Sequence, residues 1–196
     1  MSIRLEEMHP ALVHLPIALL PFAVAADWLG AIRDDDELRA VGRTAMRVAA
    51  AGAVLAAGSG LIAGEEVYEG QARDMLMTHR NLNAAGTATA LAMASWRGRT
   101  ERPGALYLAS GAAAVGLLGY TAYLGGKMVR DHGVAVKPAG GVYLPAAPKM
   151  RAGELGSFFV AALVDLFHGV RHMLSEISNG KLVPWLTNSR RLSLPE

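Results

Sequence analysis

Histidine is the residue of this chain best suited to chemistry, and there are six: His9, His14, His79, His132, His168 and His172. A neutral imidazole can ligate haem iron or a transition metal. Two of the six fall in HPALVHLPIALLP, residues 9–21, together with Pro10, Pro16 and Pro21 in an otherwise apolar segment. Polar rings and helix-breaking residues are costly in such a setting, so their presence calls for a reason. The chain has no cysteine. Disulfides, thiolate-ligated iron–sulfur clusters and covalent C-x-x-C-H haem are therefore excluded.

The elements that would position these rings are long apolar runs. Hydrophobic residues make up 52% of the chain, yet aromatics are only 6% and there are 22 glycines. Composition rich in small residues, with nearly uncharged stretches, points to packed membrane helices. Four runs stand out, at about 11–32, 44–64, 79–96 and 104–126, with the third short and mildly polar. Apolar spans of roughly 17–25 residues suit a bilayer. The expected fold is all-α: an integral membrane four-helix up-down bundle with a C-terminal amphipathic helix. Residues 1–132 form the transmembrane domain, 133–153 a Pro/Gly-rich linker, 154–178 an interfacial or docking helix, and 179–196 a tail. The start of the chain, MSIRLEEMHP, has no h-region of a secretory signal, so the first run is expected to stay in the protein. The formal charge of +2 is too small to suggest nucleic acid.

Small residues recur at every fourth position: Ala56, Gly60 and Gly64; Gly86, Ala90 and Ala94; Ala105, Ala109 and Ala113. Such stripes let helix backbones approach closely. In residues 154–178, Glu154, Ser157, Asp165, His168, Arg171, His172, Ser175 and Glu176 fall on one side at about 100° per residue. Leu155, Phe159, Leu163, Leu166, Phe167, Val170, Met173, Leu174 and Ile177 fall on the other. Asp165, His168 and His172 have metal-ligand spacing, although a solvated polar face is the simpler reading.

Arginines concentrate in the loops after the first and third runs (Arg33, Arg39, Arg43, Arg47, Arg97, Arg99, Arg102). The positive-inside rule then puts those loops in the cytoplasm and both termini outside. In this topology His9, His14, His79 and His132 converge on the external face. Pro10 is expected to start the first helix, with His9 at its cap. His14 lies about 6 Å beyond Pro10 at about 1.5 Å per residue. At that depth it should face the interior, across from His79. Pro16 and Pro21 free the carbonyls of Leu12 and Ile17 and invite kinks.

HPALVHLPIALLP, HRNLN at 79–83 and GGKMVRDHGVAV at 125–136 together resemble a family of bacterial four-helix membrane proteins known as a domain of unknown function. The resemblance covers about residues 8–137. His9, Pro10, Val13, His14, Pro16, Ile17, Ala18, Leu19 and Leu20 match its first motif, with Leu15 where Phe is usual. His79, Arg80 and Asn83 match the second. Gly125, Gly126, Val129, Gly133, Val134 and Val136 match the third, with Arg130 in place of Tyr and Ala135 in place of Gly. Fusion of some members to Rieske-type domains implies electron transfer and a b-type haem; with the arginine bias, a bacterial inner-membrane protein with periplasmic termini is expected.

Three functions compete. The first is a membrane-anchored redox subunit binding haem b near the external face, passing electrons between an external donor and quinone or another membrane or periplasmic complex. His14 and His79 are its first ligand pair, with His9 and His132 as a second pair or propionate partners, and Arg80 and Arg130 neutralising propionates. The second is a non-haem site for copper, zinc or iron built from His14, His79, His9 and His132, assisted by Glu65, Glu66, Glu69 and Asp74. The third is a cofactor-free structural or assembly subunit docked through its C-terminal helix. No nucleophile–base–acid pattern marks the chain as an independent enzyme.

Overall fold

The computed structural model describes residues 3–64, 70–134, 149–150 and 153–188. The acids Glu65, Glu66 and Glu69 and nearly all of the expected linker lie outside them. Helices dominate: α1 (Leu5–Leu12), α2 (His14–Arg33), α3 (Asp36–Gly64), α4 (Gly70–Arg99), α5 (Ala105–His132), α6 (Leu155–Ser178) and α7 (Pro184–Asn188). A two-residue antiparallel ladder pairs β1 (Ile3–Arg4) with β2 (Lys149–Met150). The all-α expectation holds, and four helical stretches are long and apolar enough to cross a membrane: Met8–Arg33, Asp36–Gly64, Ala105–His132 and Leu155–Ser178. The set differs from the sequence expectation. α4 is not among them, because Arg73, Arg80, Asn81, Asn83, Thr87, Thr89 and Arg97 dilute its apolar content.

The helix breaks between α1 and α2 at Val13. Pro16 has no N–H for the Leu12 carbonyl, which is the bond a continuous helix would make there. Regular bonding resumes with Ile17 N–H donating to Val13 O at 3.2 Å. The expected start at Pro10 is corrected, since α1 begins at Leu5 and carries Pro10 inside it. His9 is accordingly a helical residue, not a cap.

The chain divides into two compact units: one of Met1–His9, Gly58–Leu82 and Thr121–Glu196, the other of Pro10–Ala57 and Asn83–Tyr120. In the second unit each of the four helical segments runs about 16–22 residues. At about 1.5 Å per residue that is near the roughly 30 Å of a bilayer's hydrocarbon core. α2 and α3 form an antiparallel hairpin there, with Gly30 against Arg39, Gly42 against Asp27 and Gly52 against Leu15 and Pro16. The Asp35 carboxylate caps α3, accepting from the N–H groups of Glu37 (2.9 Å) and Leu38 (3.0 Å). In the same turn, hydrogen bonding from Arg39 and the nearby charge of Arg102 hold the Asp34 carboxyl below its usual range. α4 and α5 form a second antiparallel pair, with Gly86 against Leu117, Met93 against Gly111, and Trp96 edge-on to Tyr107.

The core of this unit is rich in small residues and methionine (Ala23, Ala45, Ala49, Ala50, Ala90, Ala114, Met46 and Met93), with Leu20, Val24 and Tyr107 among them. Many large apolar side chains point outward, among them Phe22, Ile32, Val48, Leu55 and Leu106. In water this inverted pattern would expose a costly apolar surface; in lipid, close backbone packing is what holds helices together. The small-residue stripes are confirmed in part. Ala56 and Ala90 are buried, but Ala105, Ala109 and Ala113 are exposed, because α5 packs through Tyr107, Gly111 and Ala114.

One polar feature crosses this core. Asp27 and Arg97 form an ion pair with both side chains 0% exposed. Arg97 Nη2 donates to Asp27 Oδ1 at 2.8 Å and to the Arg39 carbonyl at 2.8 Å. Its Nε bridges both Asp27 oxygens at 3.1 and 3.2 Å, and Nη1 donates to the carbonyls of Thr100 (2.7 Å) and Glu101 (3.0 Å). All five guanidinium N–H donors are thus engaged, and the Tyr107 ring lies 5.9 Å from the guanidinium carbon. Arg97 had been expected in a cytoplasmic loop. It ties α2, α3 and the end of α4 together. The clamp also dictates Gly42, where a Cβ would sit 2.6 Å from Asp27 Oδ1. Gly42→Ala is expected to cost about 1–3 kcal/mol by overpacking, read as a lower midpoint of thermal unfolding in detergent.

Candidate functional site

The histidines separate between the two units. His9, His79 and His132 belong to the first and His14 to the second. His14 is exposed, with Nδ1 3.3 Å from the Ala11 carbonyl of its own helical run. Its expected inward orientation is corrected. The buried face of α2 passes through Pro16, Leu20, Ala23 and Asp27, and His14 lies two residues, about 200°, around the helix from Pro16.

His9 and His79 share the first unit. His9 Nδ1 lies 3.2 Å from Ser59 Oγ. A Cβ on Gly60 would stand 2.8 Å from its Cε1, so the absence of a side chain there makes room for the ring. His79 Nδ1 lies 2.8 Å from the Thr121 carbonyl. A carbonyl only accepts, so Nδ1 carries the proton and the lone pair of the neutral ring is on Nε2. Gly125 gives this ring its access, since a Cβ there would be 3.2 Å from His79 Cε1. Gly133 has a separate task. At φ 63 it closes α5 in a left-handed turn, with Val134 N–H returning to Met128 O at 3.2 Å. His132, half-buried, is the last residue of α5.

Both arginines assigned to propionates have acidic partners within the chain. Arg80 is buried, and it donates to Asn81 Oδ1 (3.2 Å) and to Glu176 Oε2 (2.8 Å). Arg130 is exposed and pairs with Asp131 at 3.0 Å. Glu176 takes Arg73 on its other oxygen at 2.5 Å. Asn81 Nδ2 reaches the Leu182 carbonyl at 2.7 Å, and Thr78 Oγ1 accepts from Trp185 N–H at 3.0 Å. Residues 176–185 are thereby fastened to α4. Sequence reading had placed Glu176 on a solvated face, and nothing local in the sequence joins it to Arg80 across 96 positions. Asp27 did leave a signal, as the lone acid of the run at 11–32.

Among the described residues no group of three or more His, Asp and Glu side chains could hold a metal ion. This includes Asp165, His168 and His172 on α6, where the two rings stack with centroids 6.4 Å apart.

Lipid-length helices, a small-residue core and outward-facing large apolar side chains define a polytopic helical membrane protein. The chain belongs to the DUF2231 family, described as a predicted membrane protein, whose model matches residues 6–138. No curated protein and no solved structure matches it.

Proposed function

We propose that this protein is a membrane-anchored redox subunit that holds a b-type haem through His79 and His9. The observation that carries the reading is two imidazoles in one compact unit, each with Nδ1 near an oxygen and each beside a glycine that admits the ring. A histidine ligand is ordinarily oriented by such a bond on its other nitrogen. Haem asks the protein for only two axial ligands, whereas zinc or copper sites usually draw three or four from side chains. Two imidazoles fit the first demand better than the second. A bound haem would supply a one-electron iron couple. The chain's own part is to orient the Nε2 of His79 through the Thr121 carbonyl and to keep a small-residue wall beside both rings. Electrons would pass between an external donor and quinone or a neighbouring complex, with the termini on the periplasmic side of a bacterial inner membrane. His14, exposed in the other unit, is not a ligand in this reading.

A reduced-minus-oxidised spectrum of protein purified from haem-replete cells tests it. Soret and α bands are expected in the wild type, lost in His79→Ala and weakened or shifted in His9→Ala, and unchanged in His14→Ala. Absence of both bands from the wild type, or their survival in His79→Ala, overturns the assignment. Stoichiometric copper, zinc or iron without haem would instead establish the non-haem site.

A further inference from the structure

The helix α6 lies beyond the residues matched by the family, and it presents three faces. The first packs on its own unit. Gly169 meets Leu61 so closely that a Cβ would stand 2.9 Å from the Leu61 carbonyl oxygen. Phe158 is buried on the same side, and Glu176 joins Arg73 and Arg80 there. These anchors, spread over about five turns, fix the rotation of the helix about its axis. The second face is apolar and turned away. Phe159, Val160, Leu163, Phe167 and Leu174 are exposed, with Leu163 at 66% and Phe167 at 67%. The third is a polar flank of His168, Arg171, His172 and Ser175, also exposed.

We infer that α6 lies in the plane of the bilayer interface, with Phe159, Leu163 and Phe167 in the acyl region and Arg171 at the headgroups. A contiguous apolar face of this size is not left to water. The helix has the length and hydropathy of a span, yet spanning would carry Arg171 and two histidines through hydrocarbon on an exposed flank, which is costly. A protein partner is disfavoured by the composition of the face. It holds aliphatic residues and phenylalanine without the Trp, Tyr or Arg anchors that dominate binding hot spots. An apolar face beside a polar flank, with Arg171 able to reach the headgroups, is what an interfacial helix needs. The bilayer is already present, because the chain is a membrane protein. This inference is independent of the haem proposal.

The chain lacks cysteine, so single cysteines introduced at exposed positions give unique labels without disturbing the core. Leu163→Cys, Phe167→Cys, His168→Cys and His172→Cys would be spin-labelled in the full chain, reconstituted in vesicles of equal parts phosphatidylethanolamine and phosphatidylglycerol. Labels at 163 and 167 are expected to collide more with oxygen than with a water-soluble nickel complex, at one shallow depth. Labels at 168 and 172 are expected to show the reverse. Preferential collision with nickel at 163 and 167 would place the face in water and overturn the inference. Lipid exposure of all four sites at graded depth would make α6 a span. Shielding of 163 and 167 from both reagents would mean that a second copy or another protein covers the face. Either of these last results overturns it too.

Discussion

Asp27→Ala is expected to destabilise the protein by about 3–5 kcal/mol, the usual cost of stranding one partner of a fully buried ion pair. Arg97 cannot move to water, because it is 0% exposed and its Nη1 and Nη2 are tied to the carbonyls of Thr100, Glu101 and Arg39. Those carbonyls solvate the cation but do not neutralise it. Asp27→Asn keeps an acceptor facing Arg97 and loses the charge, so an intermediate loss is expected. Arg97→Lys should also cost, because one ammonium with three donors cannot serve five directions. The double variant Asp27→Leu/Arg97→Met should lie above the sum of its single changes by about 1–3 kcal/mol, the coupling typical of side chains in one network. Thermal or denaturant unfolding in detergent measures these four together with the single changes Asp27→Leu and Arg97→Met that complete the cycle. A melting midpoint in Asp27→Ala equal to that of the wild type would show that the cation finds another partner, and that the clamp is not what joins α2, α3 and α4.

The parts of this fold that could be read ahead are those governed by local rules. Apolar runs marked the helices, and the missing N–H of Pro16 foretold the interruption at Val13. Gly125 and Gly133 stood out as a motif, and the structure gives them distinct reasons: room for the His79 ring, and a left-handed helix end. What resisted reading depends on rotation about a helix axis or on distant pairing. His14 was placed on the wrong side of its helix, because its azimuth is set by which of its neighbours pack, and those are Pro16 and Leu20. Arg80 looked like a cation awaiting an anion. It has one, supplied from 96 residues away. On α6 an amphipathic division assigns every polar residue to one solvated face. The packing seam cuts across that division, drawing Glu176 inward and leaving Arg171 out, because Gly169 is the place where a backbone can approach.

Glu176→Ala should release the C-terminal segment. The carboxylate is 18% exposed and holds two guanidinium groups at once, Arg73 at 16% and Arg80 at 8% side-chain exposure. Its removal leaves two partly buried cations facing each other. Water reaches part of the cluster, so the expected cost falls below that of a fully buried pair, at about 2–3 kcal/mol. The loss should be local. Residues 176–185 are fastened to α4 by this cluster, by Asn81 on the Leu182 carbonyl and by Thr78 on the Trp185 N–H. Weakening the first strains the others. Hydrogen exchange is the measurement that resolves it, because local opening is reported separately from global unfolding. Amides of the last two turns of α6 and of Trp185 should exchange about 30- to 150-fold faster, the equivalent of about 2–3 kcal/mol at 1.4 kcal/mol per tenfold. Glu176→Gln keeps one acceptor and should fall between. Adding Arg80→Met to Glu176→Ala should restore part of the protection, since it removes the more deeply buried of the stranded charges. Unchanged exchange in Glu176→Ala would mean that Gly169 packing on Leu61 alone secures the helix, and that the two arginines serve some other anion.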